Sequence, residues 1–309
     1  MAGMHHHHRH GTDAGGRRLA LAIAVNLGLT LAQVAGGLFS GSLALIADAL
    51  HNLSDAVALL LAWGARRIAR RPADGRMTFG YGRAEVIAAF VNLLALLLLG
   101  LWLVAEALAR LVDPPPVEGW TVVLIAALAL VIDTVTALLT RAMARDSLNI
   151  RAAFLHNVAD ALGSVAVIVA GAMVLIWDWR LADPLVTLMV AGWILWQAAA
   201  ALGPVLRILM LGTPPGPGPE ALRARLAGLP GVEEVHHLHL WQIDEHRSSV
   251  EAHLVIAPDR WEEAEAITAA ARARLRDEFG IAHATLQAER PGACSERDRA
   301  GGAEAQPSA

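Results

Sequence analysis

The stretch SLALIADALHNLSD, residues 42–55, is apolar enough for a membrane span but carries Asp48, His51, Asn52 and Asp55. Ionisable groups are costly in lipid, and within a membrane span they usually serve a function. Residues three or four apart share one face of a helix, so Asp48, His51 and Asp55 lie on a single stripe. The stretch therefore predicts a membrane helix with a functional site on one side.

A second stretch repeats the spacing of a His and an Asp four residues apart. Residues 153–160 read AFLHNVAD, with His156 and Asp160, and the apolar run ALGSVAVIVAGAMVLIW follows. Two facing helices of this kind offer two imidazoles and two carboxylates, a set that suits tetrahedral Zn²⁺. Two neutral His and two ionised Asp also cancel the charge of a divalent cation. Such pairs can instead join helices by hydrogen bonds, but their repetition favours a metal site.

The composition predicts a membrane protein. The chain has 309 residues, of which 55% are hydrophobic, and its mean hydropathy is +0.46, which is too apolar for an ordinary soluble protein. The net charge of -4 argues against nucleic acid as a partner, and acidic residues concentrate after residue 216. The single Cys294 cannot form an intramolecular disulfide, which fits a reducing compartment for that segment.

The first sixteen residues form a His-rich tail, 1–16, without the regions of a signal peptide. Its five histidines are interrupted by Arg9. They are either part of an affinity tag or a flexible metal-collecting segment, and the composition alone leaves both readings open.

Hydropathy predicts six membrane spans within a transport domain, 17–212. The predicted spans are 17–38, 43–66, 84–109, 119–143, 149–177 and 183–207. Asp133 lies near the middle of the fourth span and is a further functional candidate, although a single carboxylate there could equally be protonated or hydrogen-bonded to a neighbouring span.

Arginine residues predict the orientation of these spans. Two, Arg110 and Arg180, fall on one side, and twelve fall on the other: Arg17, Arg18, Arg66, Arg67, Arg70, Arg71, Arg76, Arg83, Arg141, Arg145, Arg151 and Arg207. Because basic loops stay in the cytoplasm, both termini are predicted to be cytoplasmic.

The linker LGTPPGPGPE begins a change to a soluble domain, 213–290. Hydrophobic patterning predicts the order α-β-β-α-β, a small α+β domain with helices on one face of a sheet. The predicted helices are 220–229 and 261–279, and the predicted strands are 232–243, 249–256 and 281–287. A polar tail, 291–309, is expected to be disordered.

Histidines are frequent in this domain. Alternation along a strand predicts that His237 and His239 share one face and that His236 points to the other. Strand histidines are often only polar surface, yet His253 and His283 fall on neighbouring predicted strands, so a regulatory metal site is an open alternative.

The sequence resembles the cation diffusion facilitator family of divalent metal transporters, and closely its bacterial zinc-exporting branch. The motifs that carry the resemblance are GSLALIADALHNLSD, TFGYGRAEVIAAFVN, NIRAAFLHNVADALGSVAVI, VHHLHLW, EAHLVI and FGIAHATLQAE. They extend over most of the chain, from about residue 17 to residue 289.

The resemblance implies a six-span homodimer in the bacterial inner membrane, with a ferredoxin-like cytoplasmic domain for metal sensing and dimerisation, that exports Zn²⁺ in exchange for protons. It implies a transport site of His51, Asp55, His156 and Asp160. It also implies cytoplasmic metal ligands among His236, His239, His253 and His283.

The chain departs from some relatives in three places. Thr285 stands where others carry an acidic ligand two residues after the last cytoplasmic His. The loop after the second span has Asp74 but no histidine, and the connection between spans four and five is short.

Ligand chemistry agrees with proton-coupled export. Metals bind deprotonated ligands, so protonation expels them, and His51 and His156 would titrate near neutral pH. Nitrogen and oxygen ligands favour Zn²⁺ over Mg²⁺ or Ca²⁺ without excluding Cd²⁺, Co²⁺ or Ni²⁺, and no organic cofactor is expected.

Three alternatives differ in class. They are an intramembrane metalloenzyme, for which no HExxH motif is found; a passive channel, which closed coordination disfavours; and a zinc-binding membrane sensor.

Overall fold

A computed structural model of the chain describes residues 27–141 and 148–293. The His-rich tail 1–16, Arg145, Cys294 and the remainder of the predicted C-terminal tail lie outside these ranges. Two compact units can be distinguished. The first contains residues up to Leu61 together with Val91–Ala200, and the second contains Ala62–Phe90 together with residues from Ala201 onward.

Six apolar helices account for the first two thirds of the sequence. They are α1 (Leu27–Ser40), α2 (Leu43–Ala69), α3 (Arg83–Val112), α4 (Gly119–Arg141), α5 (Leu148–Trp177) and α6 (Ala182–Leu209). Five of them, α2 to α6, are long and apolar enough to cross a membrane, and α1 is shorter over its described residues. The predicted helical membrane architecture is confirmed, and the six helices correspond to the six predicted spans.

Large apolar side chains stay exposed along these helices, as expected when lipid is the solvent. Leu60, Leu98, Leu124 and Leu162 are examples. Small residues are placed where helices approach closely. A Cβ atom at Gly119, the first residue of α4, would lie 2.6 Å from the carbonyl oxygen of Gly171 on α5. The absence of a side chain at Gly119 therefore lets α4 and α5 pack at backbone distance.

Helix α2 contributes to two buried clusters. One cluster joins it to α3 and α6 through Leu43, Ala47, Leu103, Ala107, Val190, Ala191 and Ile194. The other joins it to α4 and α5 through Ala44, Leu45, Val122, Ala126 and Val167. Packing on both sides fixes which face of α2 is turned toward α5.

The second unit contains a three-stranded sheet and two helices. In chain order the elements are α7 (Pro219–Ala227), β1 (Val232–Gln242), β2 (Ser248–Ile256), a 3₁₀ turn (Pro258–Glu263), α8 (Ala264–Phe279) and β3 (His283–Glu289). The strand order is β1-β2-β3. Strands β1 and β2 are antiparallel, and β2 and β3 are parallel because α8 makes the crossover between them.

The predicted order α-β-β-α-β is confirmed, with small shifts at the boundaries. Helix α8 begins at Ala264, after the 3₁₀ turn, and β3 begins and ends two residues later than predicted. Leu222 and Leu226 of α7, Leu275 of α8 and Leu254 of β2 are fully buried between the sheet and its helices. The amphipathic pattern thus places the helices on one face of the sheet.

The predicted alternation of histidines along β1 is met only in part: His237 and His239 do lie together, with ring centroids 4.8 Å apart, but a shift in strand register interrupts the pattern at His237. The β1–β2 register shifts between His236 and His239, and His237 has a φ of 49°. This irregularity lets both His236 and His237 approach His253 of β2, with ring centroids 5.3 Å and 4.8 Å away. A bulge of this kind inserts a residue and redirects side chains.

The turn between β1 and β2 is held by Asp244. Its carboxylate accepts hydrogen bonds from the backbone N–H groups of His246 and Arg247 at 3.0 Å and 2.9 Å, and from Arg247 Nε at 2.7 Å. Arg83, at the start of α3, donates from Nε to the carbonyl oxygen of Ile243 at 2.9 Å. The second unit therefore includes the start of α3 as well as the sheet domain.

Candidate metal centre

Helices α2 and α5 bring the four residues of the predicted transport site together. His51 Nε2 lies 3.9 Å from Asp55 Oδ2 and 3.5 Å from Asp160 Oδ1. His156 Nε2 lies 3.0 Å from Asp55 Oδ2 and 3.5 Å from Asp160 Oδ2. Each imidazole thus faces both carboxylates, one on its own helix and one on the other.

These separations are those of a tetrahedral ligand set. With metal–ligand bonds near 2.0–2.1 Å, neighbouring ligand atoms around tetrahedral Zn²⁺ are about 3.3 Å apart. The four His-to-Asp distances, from 3.0 to 3.9 Å, scatter around that value. A small inward movement of the side chains would place one cation between them, and two carboxylates would neutralise its charge.

The four side chains differ in exposure. His51 and Asp160 are 13% and 10% exposed, whereas Asp55 and His156 are 35% and 43% exposed. On α2 the more exposed residue, Asp55, follows the more buried His51 in the sequence. On α5 the more exposed residue, His156, precedes the more buried Asp160. The more accessible pair therefore lies toward the end of α2 and the start of α5.

His51 has one ring nitrogen that the site does not use. Its Nδ1 is buried and has no hydrogen-bond partner among the residues that the structure describes. Its Nε2 faces the two carboxylates, so coordination through Nε2 requires no change of ring orientation.

A buried polar network borders the site. Gln33 of α1 donates from Nε2 to Asp48 Oδ2 at 2.6 Å and accepts from Asn52 Nδ2 at 3.2 Å. Asp133 of α4 accepts a hydrogen bond from Ser164 Oγ of α5 at 3.2 Å. Asp133 thus forms a hydrogen bond to a neighbouring span, one of the alternatives that the sequence allowed, and Asp48 is hydrogen-bonded to α1.

A second candidate centre lies in the sheet domain. Glu289 Oε1 is 2.8 Å from His253 Nδ1, and Glu289 Oε2 is 3.3 Å from His236 Nε2. One ligand atom from each of the three residues lies within 4.8 Å of the others, and His236 and Glu289 are buried. Two imidazoles and one carboxylate suit Zn²⁺ and leave a fourth position for another ligand.

This group differs from the set expected from the sequence. It contains neither His239 nor His283 among the described residues. The His239 ring packs against His237 at 4.8 Å, and the exposed His283 packs against Phe79 at 5.2 Å. Glu289 was missed because the predicted third strand ended at residue 287.

A third group, Glu85, Glu245 and His246, also has ligand atoms within 4.8 Å of one another. Glu245 and His246 are exposed, and Arg66 Nε lies 3.8 Å from Glu85. Since two of its members are exposed and Arg66 lies beside Glu85, this group is a weaker candidate than the other two.

Fold and site geometry together define an integral membrane protein with a candidate cation site between two helices. Residues 19–210 match the family described as cation efflux transmembrane domain, and residues 214–291 match the cation efflux protein cytoplasmic domain. The chain therefore belongs to the cation efflux family. It is a divalent metal cation transporter and not an intramembrane metalloenzyme.

Similar proteins cover nearly the full length of the chain. The zinc transporter ZitB of Pectobacterium atrosepticum is 38% identical, over 93% of this chain and 89% of its own. The metal cation efflux system protein CzcD of Cupriavidus metallidurans is 34% identical, over 93% and 90%. A cadmium, cobalt and zinc/H(+)-K(+) antiporter of Bacillus subtilis is 32% identical, over 91% of each chain.

Proposed function

We propose that this protein exports Zn²⁺ from the cytoplasm in exchange for protons, through a transport site formed by His51, Asp55, His156 and Asp160. The observation that carries the proposal is the convergence of the two His–Asp pairs of α2 and α5, with His-to-Asp separations of 3.0 to 3.9 Å. The names of the similar proteins, which specify zinc transport and proton antiport, support it.

Metal and protons compete for the same ligands. Zn²⁺ binds neutral imidazole and ionised carboxylate, so loading the site releases protons and protonation expels the metal. His51 and His156 are the groups whose ordinary pKa lies nearest neutrality. A site that opens alternately to each side therefore couples inward proton flow to outward metal flow.

The direction of loading follows from the exposure of the ligands. Asp55 and His156, the more exposed pair, lie toward the arginine-rich ends of α2 and α5. Arginine-rich loops mark the cytoplasmic side. This supports a site that receives metal from the cytoplasm, with both termini on that side and the protein in a bacterial inner membrane.

Selectivity is set by the donor atoms. Two nitrogen and two oxygen donors favour Zn²⁺ over Mg²⁺ and Ca²⁺. Cd²⁺, Co²⁺ and Ni²⁺ accept the same donors, and cadmium and cobalt occur in the name of one similar protein. Zn²⁺ is the preferred substrate, and the other three are secondary substrates.

The sheet domain, residues 213–290, serves as a metal-sensing and dimerisation domain in this proposal. His236, His253 and Glu289 form its regulatory zinc site, because they are the described cytoplasmic group with the best buried ligands. The working protein is a homodimer. The His-rich tail 1–16 would collect metal for the transport site.

The test is Zn²⁺ uptake into proteoliposomes whose cytoplasmic face is turned outward, with and without an acidic lumen. Wild type is compared with His51→Ala and, as a matched control, with His239→Ala, whose side chain is exposed in the sheet domain. Acceleration by the acidic lumen that is lost only in His51→Ala supports the proposal. Flux that ignores the gradient indicates a channel, and absence of flux indicates a sensor; either result would contradict the proposal.

A further inference from the structure

Asp183 of α6 is bonded to the start of a different helix. It is 2% exposed, and its carboxylate accepts hydrogen bonds from Ser42 Oγ at 2.5 Å, Leu43 N–H at 2.8 Å and Ala44 N–H at 3.3 Å. The first N–H groups of a helix have no partner within that helix. A side chain from α6 therefore supplies the partners that α2 lacks.

The carboxylate also carries the charge that this position favours. Asp183 lies in the first turn of α6 and against the first turn of α2. Both helix N-termini carry partial positive charge, which attracts an anion. Ser42 completes the arrangement, because its Oγ also accepts a hydrogen bond from Leu45 N–H at 3.1 Å. Without the Asp183 carboxylate, the buried donors of α2 would lose their partner at a considerable cost.

The turn that precedes α2 is fixed by other helices. Arg110 Nη1 of α3 donates to the carbonyl oxygen of Gly41 at 2.7 Å, and the N–H of Glu118 donates to the carbonyl oxygen of Ser40 at 2.8 Å. Gly41 has a φ of 73°, and a Cβ atom there would lie 2.9 Å from the carbonyl oxygen of Pro116. The beginning of α2 therefore has little freedom to slide or rotate.

The cap and the transport ligands are on one uninterrupted helix. No Gly or Pro occurs between Leu43 and Asp55. At about 1.5 Å per residue, His51 lies about 12 Å and Asp55 about 18 Å along the axis from Leu43. A displacement or rotation of the capped end is therefore transmitted to both ligands, whereas His156 and Asp160 belong to a different helix, α5.

We infer that Asp183 is a positioning residue for metal transport: by capping α2 from α6, it aligns His51 and Asp55 with His156 and Asp160. The inference rests on the proposed transport site. Asp183 does not contact the cation; it sets the height and rotation at which α2 presents its two ligands.

The test measures Co²⁺ binding to the full-length purified protein, in which His236→Ala and Glu289→Gln remove the candidate cytoplasmic site and alanine replaces the five histidines of the tail 1–16. The visible spectrum of bound Co²⁺ reports the geometry of its ligands, because a tetrahedral Co²⁺ ion absorbs visible light more strongly than a six-coordinate one. Asp183→Asn keeps the shape of the side chain but removes its charge and one acceptor. We expect Co²⁺ affinity to fall about tenfold or more, as for other residues that orient ligands, and the visible absorption to weaken.

The matched control is Asp178→Asn. Asp178 lies in the turn before α6 and pairs with Arg180, and its side chain is 72% exposed. The same change of charge there should leave Co²⁺ affinity and spectrum unchanged. Equal affinity and spectrum in wild type and Asp183→Asn would overturn the inference.

A second variant covers the case in which Asp183→Asn does not fold. Ser42→Ala removes one of the three donors and should lower Co²⁺ affinity in the same direction by a smaller factor; an unchanged affinity would overturn the inference. Failure of the proposed function is distinguishable. If His51→Ala leaves the Co²⁺ signal unchanged, the proposed transport site is wrong. If the signal is lost in His51→Ala but unchanged in Asp183→Asn, only the positioning role is contradicted.

Discussion

The carboxylate of Asp55 on α2 lies 3.0 Å from Nε2 of His156 on α5, closer than the 3.9 Å that separates it from His51 on its own helix. The strongest pairing in the candidate transport site is therefore between helices. Each carboxylate faces an imidazole from both helices, so the site depends on how α2 and α5 pack.

The first prediction concerns Asp160, which lies 3.5 Å from both imidazoles and is mostly buried. Asp160→Asn preserves volume but removes a charged ligand. Since loss of an outer partner of a metal ligand already costs about 10–100-fold in metal affinity or activity, loss of the ligand itself should lower Zn²⁺ transport by about 100-fold or more. Uptake into proteoliposomes measures the loss, and gel filtration checks that the protein is folded.

The control for this prediction is Asp113→Asn, an exposed carboxylate between α3 and α4. It should transport like wild type. A wild-type rate for Asp160→Asn would exclude that residue from the transport site.

The second prediction concerns the sheet domain, where Glu289 lies between His236 and His253. In full-length protein whose transport site is disabled by His156→Ala and whose five tail histidines are replaced by alanine, Glu289→Gln should lower Zn²⁺ affinity by about tenfold or more, since a charged ligand is lost. Calorimetric titration measures this. His283→Ala is the matched comparison and should have no effect; a loss as large as that of Glu289→Gln would restore His283 to the ligand set.

The third prediction concerns the contact between α4 and α5. In Gly119→Ala the new Cβ would meet the Gly171 carbonyl oxygen at 2.6 Å. Such overpacking costs about 1–3 kcal/mol, so the thermal midpoint of unfolding in detergent should fall. Gly192→Ala in α6 should leave the midpoint unchanged or raise it, because no described atom outside the local backbone of α6 lies within 4 Å of the new Cβ. Equal midpoints for both variants would contradict the close approach of α4 and α5.

The fourth prediction concerns pH and the β1–β2 turn. Burial raises the pKa of the Asp244 carboxyl. Hydrogen bonds from the Arg247 side chain and from two backbone N–H groups lower this pKa by more than burial raises it, so it lies below its usual value. A carboxyl whose pKa is lower in the folded than in the unfolded protein stabilises the fold at pH values above its unfolded pKa of about 3.9. This stabilisation is lost as the pH falls through the folded-state pKa.

Asp244→Asn should therefore destabilise the protein by about 1–2 kcal/mol at neutral pH, and the difference should vanish in acid. Unfolding in denaturant at a series of pH values measures both. A difference that stays constant down to the acid range would show that the carboxylate charge does not stabilise the turn.

The candidate transport ligands could be proposed from the sequence because their signal is local. A His and an Asp four residues apart share a helix face whatever the tertiary structure, and only the packing of α2 on α5 had to be assumed. The spans were predictable for the same reason, since apolar length is a local property.

The sheet domain was harder because its ligands depend on long-range pairing. The irregularity at His237 cannot be seen in an alternating pattern, and the end of β3 at Glu289 is fixed by parallel pairing with β2. A strand, a helix and a second strand in sequence do imply that the two strands are parallel. Pairing the predicted third strand along the whole of β2 could then have extended β3 to Glu289, which pairs with Val255. The partner of Asp183 was equally hidden, since an acidic residue at the start of a helix reads as an ordinary first-turn residue.

The division of ligands between α2 and α5 has a further consequence. Each helix contributes one neutral nitrogen donor and one anionic oxygen donor, so separating the helices leaves two equivalent halves with two donors each. A cation bound by all four proposed ligands would be a reversible cross-link between distant parts of the chain, and either half alone would offer it only two ligands. Release from the proposed site would therefore be cooperative, because separation of the two helices would remove half of the ion's ligands in a single step.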